Sequence, residues 1–138
     1  MTDVLAAIRT VLLADADVAA LCETRVWAAE MPKVEAESMP RPCVVIVYAG
    51  GFERMATDPT IRPRVDVYNY GETFHRAGAV DRATYSALKA LRRQTVGEAL
   101  IHGVALAGGP IMLRDSDAGW PVMVRSMSVA ADERAVGE

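Results

Sequence analysis

The chain has 138 residues, 51% hydrophobic and 24% charged, with 15 Lys and Arg against 18 Asp and Glu and a formal net charge of -3. That length suits a single domain spanning 1–138 that buries its own core, and the composition excludes an intrinsically disordered chain. The acidic balance argues against general nucleic-acid binding, whose affinity comes from clustered cations facing phosphates.

Residues 3–14 read as an amphipathic helix, because Val4, Leu5, Ile8, Val11 and Leu12 recur at three- and four-residue steps. Thr2 is the expected N-cap and Asp3 suits the positive end of the helix dipole. Asp15-Ala16-Asp17 breaks and recaps the chain before a short second helical turn at residues 18–21. Residues 25–29 form a strand candidate. Residues 31–42 carry Pro32, Pro40 and Pro42 and read as a loop, since proline removes ladder donors. Residues 43–49 are a continuous β-branched run, expected to be a strand buried on both faces.

Residues 52–63 have no period and are expected to be a long loop or an extended arm. This segment and 31–42 are both expected to be mobile in an isolated subunit. Residues 64–70 alternate, with Val65 and Val67 on one face and Arg64, Asp66, Tyr68 and Tyr70 on the other. The longest helix is expected over 73–96, with Val80, Thr84, Ala87, Leu88, Leu91 and Thr95 as its apolar stripe. On that reading Asp81, Arg82, Ser86, Lys89, Arg92 and Arg93 face outward, and Gly97 is the C-terminal stop. Residues 103–114 give one or two strand pieces broken at Gly108-Gly109-Pro110. With a turn at 115–119 and a last strand at 120–131 they make a β-hairpin. The tail from about 132 reads as frayed. The fold class is α+β: a mostly antiparallel, or mixed, sheet with two main helices packed on one face.

No motif for catalysis stands out. The chain lacks a phosphate-cradling G-x-x-x-x-G-K-[ST], a G-x-G-x-x-G fingerprint and a G-x-S-x-G elbow. Cys22, Cys43, His75 and His102 have no metal-ligand spacing, so both cysteines are expected to be buried reduced thiols. Asp115 and Asp117 lack the further ligands of a calcium loop and fit a hairpin turn better. No metal or cofactor is expected. The sequence shows no secretory leader and no apolar run of the ~18–20 residues a membrane span needs. A soluble protein made in a reducing cytoplasm is the expectation. Lys89, Arg92 and Arg93 form the one basic cluster, a solvated helix face or a contact with a partner protein or passing DNA. Met112, Met123 and Met127 all fall in the hairpin, where flexible thioethers fill a core or an adaptable interface.

The order of features resembles the tail terminator (tail completion) proteins of long-tailed bacteriophages and related tailed particles. The resemblance rests on residues 13–21 with their Val18-Ala19-Ala20-Leu21 run, then Arg25-Val26-Trp27, then Arg41-Pro42-Cys43-Val44-Val45-Ile46-Val47. Tyr48-Ala49-Gly50-Gly51, the stretch 64–71 and the alanine-rich helix complete it, so that it covers residues 2–131. It implies a structural virion protein without enzymatic activity or cofactor, sited at the head–tail junction. Copies would form a ring, usually a hexamer, that caps the tail tube and ends its polymerisation. The ring would join the major tail tube protein to a head completion or connector protein, with DNA only in transit through the lumen and no membrane partner.

A ring needs two complementary patches on each subunit. Candidates are Phe52, Arg54, Met55 and Ile61 in the arm, Met112 and Met123 in the hairpin, and the basic pair Arg92 and Arg93. Two alternatives stand beside this reading: another neck or head-completion protein of the same particle, and a small ligand-binding domain or enzyme using Asp66, Glu53 or His75.

Overall fold

A computed structural model describes residues 2–51, 59–116, 118–134 and 136–137. The chain opens with helix α1 (Val4–Ala14), capped by Asp3, whose side chain accepts from the Ala6 N–H at 3.0 Å. Asp3 takes the role expected of Thr2. Thr2 is buried, and its N–H donates to the Glu133 carbonyl at 2.8 Å. Asp15 caps α2 (Ala16–Cys22) by accepting from the Asp17 and Val18 N–H groups, as the Asp-Ala-Asp sequence predicts.

Strand β1 (Val26–Ala28) is followed by a crossover to β2 (Cys43–Tyr48), which runs parallel to it. The crossover, expected to be a loop, carries a one-turn helix, α3 (Lys33–Ala36). It is also packed, because Met31 and Met39 sit against a cluster of buried side chains. Next come β3 (Thr60–Ile61) and β4 (Arg64–Tyr70). Helix α4 (Phe74–Lys89) is capped by Thr73, whose Oγ1 accepts from the Arg76 N–H. Gly71 is required before it, since a Cβ there would lie 2.4 Å from the Ala77 nitrogen.

Helix α4 stops seven residues earlier than the sequence predicts. Leu91 turns back into the core, and residues 94–96 form β5 (Gln94–Val96), paired with the start of β6 (Ala99–Arg114). Gly97, at φ +60, turns this short hairpin and does not end the helix. Thr95 and Val96 are β-branched, so a strand partner outweighs another helical turn for them. Strand β7 (Pro121–Asp132) closes the chain.

The strands lie in the order β1-β2-β4-β7-β6-β5, with β3 also on β7. All pairs except β1–β2 are antiparallel. The α+β class is therefore as expected, with a mixed sheet. Helices α1, α2 and α4 cover one face, here the helix face. Val44, Ile46, Val65, Val67, Met127 and Val129 point into its core. Cys43, Val45, Tyr70, Val122 and Val124 form a smaller cluster on the second face, beneath the crossover.

At the centre of the helix face sits a polar network. Asp81, expected to face outward, is 2% exposed. It accepts from Arg125 Nε at 3.0 Å and Nη2 at 2.6 Å, and from Asn69 Nδ2 at 3.3 Å. Thr84 donates to Asn69 Oδ1 at 2.7 Å, and the Arg125 guanidinium lies 4.0 Å from the Tyr85 ring centroid. Every partner is supplied by α4, β4 or β7, so the network fixes the helix on the sheet.

Candidate assembly surface

The outer half of β6 is where this fold leaves apolar chemistry uncovered. Its neighbour β5 pairs only as far as Ile101, whereas β6 runs on to Arg114 against β7. The break expected at Gly108-Gly109-Pro110 is instead a pair of register shifts within one long strand. Gly109 has φ +91, and a Cβ there would lie 2.7 Å from the Val124 carbonyl oxygen, so the irregularity needs glycine. From Gly103 to Leu113 the strand carries no charged residue. Lysines and short strands are the usual guards of a sheet edge, and here Pro110 and the bulge are the guards present.

Four large apolar side chains emerge from this half: Leu106 at 48% exposure, Ile111 at 55%, Met112 at 59% and Leu113 at 45%. Register places Ile111 beside Val124 and Leu113 beside Val122, two members of the second-face cluster. These two side chains extend that cluster outward past β7. Met112 lies opposite Met123, and Leu106 opposite Met127, on the helix-face side. At the tip Arg114 stacks 4.9 Å from the Phe74 ring centroid and donates to the Gly119 carbonyl. Glu72, Phe74, Arg114 and Trp120 border an open depression of about 500 Å³ beside it. Asp115 accepts from the Ala118 N–H and shapes the hairpin turn, as its sequence context predicts.

The candidate residues fall in three places. Met112 and Met123 come together on the hairpin. Arg92 and Arg93 are exposed beyond the end of α4, at the β5 end of the fold, where Arg92 donates to the Lys89 and Leu91 carbonyls. Ile61 is 2% exposed in the main core, so the subunit does not present it; its strand pairs with β7 and turns the side chain inward. Phe52, Arg54 and Met55 lie outside the described residues, as does Glu53. Sequence reasoning missed Leu106, Ile111 and Leu113. The signal was available as an eleven-residue stretch, 103–113, without a charge.

Among the described residues, the groups the sequence offers for chemistry each sit in separate surroundings. His75 is exposed at the start of α4. His102 Nε2 lies 2.7 Å from Asp132 Oδ1. Asp66 accepts from Ser126 Oγ at 2.5 Å and sits 3.7 Å from Arg64. Burial pushes the Cys22 thiol up to about 11 against a smaller opposing effect of Arg25, and the Cys43 thiol up to about 12. Both cysteines are free and buried, as their apolar sequence surroundings predict. Among the described residues no three His, Cys, Asp or Glu side chains stand close enough to hold a metal ion, and no helix is long and apolar enough to cross a membrane.

No family model and no curated protein matches the chain. Nine chains of solved structures do match. One of them belongs to the virion of a native gene transfer agent particle. It superposes with a TM-score of 0.63 over 93% of this chain and 93% of that one, at 20% sequence identity. The likeness is one of fold, and it takes in most of both chains.

Proposed function

We propose that the chain is a structural subunit of a phage-like virion, and within it the tail terminator: a ring, usually of six copies, that caps the tail tube and presents the surface for head joining. The observation that carries this reading is the fold shared across 93% of both chains with a component of a gene transfer agent virion. The order of sequence landmarks supports the finer assignment, and the uncovered outer half of β6 supports a subunit that acts through its edges. On this reading the protein is not an enzyme. It meets further copies of itself, the tube protein and a head completion protein, and DNA only passes through the lumen. Its place is the head–tail junction of the particle.

Deleting the gene and imaging the particles tests the assignment. Tails of uncontrolled length with unattached heads are the expected result. Tails of normal length with unjoined heads favour the second reading, another neck or head-completion protein. Particles that are complete and joined sink both.

A further inference from the structure

A ring subunit carries two different patches that fit one another, and the contact between them depends on the ring reading above. The uncovered half of β6 supplies one patch. We infer that it is covered by the β1–β2 crossover of the next copy, with Val34 of that copy set against Ile111 and Leu113.

The crossover already performs this task within its own subunit. Met31 and Met39 point from it into the second-face cluster. Val34, on α3 in the same segment, points away and is 69% exposed, the highest value among the large apolar side chains described. The segment is thus apolar on both sides. The cluster it covers continues outward through Ile111 and Leu113 onto β6, where that cover is missing. A second crossover laid on the same face would complete the layer with the chemistry that completes it elsewhere.

Charge agrees in sign. Exposed Glu30 and Glu37 flank Val34, outnumbering the exposed Lys33 between them, and Glu35 is paired with Arg41. Next to Leu113 stands the exposed Arg114. The contact is head-to-tail because it joins two different surfaces: α3 lies in the β1–β2 connection, and the patch it would cover lies on β6. Each copy therefore offers two unlike patches, as a closing ring needs. Size points the same way. Four half-exposed side chains offer a few hundred Å² of apolar surface, below the ~800 Å² per partner of a stable free pair but suited to a contact made twice by every subunit.

Two exposed-site variants test the contact, Val34→Asp and Ile111→Asp. Each should melt within a few degrees of the wild type, so that lost assembly reports a lost contact. In a concentration series by light scattering, the wild type should form a closed oligomer. Each variant alone should assemble at least ~10-fold more weakly, because a buried unpaired carboxylate opposes the contact. Mixed in equal amounts at millimolar concentration, where a single contact of this size is populated, the two should form a weak one-to-one pair through their intact patches and stop there. Unimpaired assembly of either variant, or a mixture that yields no pair, overturns the contact and leaves the ring reading standing. A wild type that stays monomeric at millimolar concentration also overturns it. The ring reading falls separately, on particle images.

Discussion

The helix face and the second face of the sheet are made by alternate residues of the same strands, yet the first gathers twenty-two buried apolar residues among those described and the second five. The difference lies in the covers. Three helices lie over the helix face, and beneath them Asp81 and Arg125 form a hydrogen-bonded pair. One crossover with a single helical turn lies over the second face, and beyond β7 the cover runs out. Ile101 and Ile111 show the result within one strand: the first is 0% exposed and belongs to the main core, the second is 55% exposed. A strand position is core only when another element closes over it.

Removing the charge from the helix face gives the largest expected effect. Asp81→Ala leaves the Arg125 side chain, 12% exposed, without its partner. It should cost about 3–5 kcal/mol in urea unfolding. Replacing both residues by apolar ones of similar size, Asp81→Leu with Arg125→Met, should recover most of that. A single-variant cost below ~1 kcal/mol would show that the network does not anchor α4.

Truncating Ile101 comes next. Ile101→Ala should destabilise by about 2–5 kcal/mol through lost transfer energy and a residual cavity.

Alkaline titration probes both faces together, through Cys22 in the main core and Cys43 in the second-face cluster. Burial raises the thiols to about 11 and about 12, and raises Tyr70 on the second face to about 12. The folded state holds these protons more tightly than the unfolded chain, whose thiols ionise near ~8.5. Stability is therefore unaffected by these groups below ~8.5, and it is lost as pH rises from there through about 11 and then about 12. Denaturant midpoints measured from neutral pH upward should stay level and then fall. Rapid alkylation of either thiol in the native protein at pH 8 would contradict their burial.

The smallest effect is expected at the uncovered rim. Ile111→Ala should change the stability of the isolated subunit by no more than ~0.5 kcal/mol. A loss like that at Ile101 would mean that the second-face cluster depends on its outer edge, and the contrast between the faces would narrow.

Local sequence determined much of this protein. The β-branched run of β2, the alternation in β4, the Asp15 cap and the hairpin turn at Asp115 each act within a few residues, so periodicity and turn chemistry reveal them. The same holds for the α+β class and for the two buried thiols. Tertiary structure decided the rest, because each remaining feature depends on a partner distant in the chain. Asp81 lies on the outward side of the helical pattern until Arg125, 44 residues away, gives its charge a buried partner. Residues 94–96 continue the helical spacing of the stripe through Thr95, and become a strand because β6 is there to pair with them. Ile61 looks available for a partner until β7 turns it into the core. The outer half of β6 reads like any apolar strand, and it stands open because β5 is three residues long and nothing described covers Ile111 and Leu113. The charge-free stretch was visible in the sequence; its lack of cover is a property of the fold.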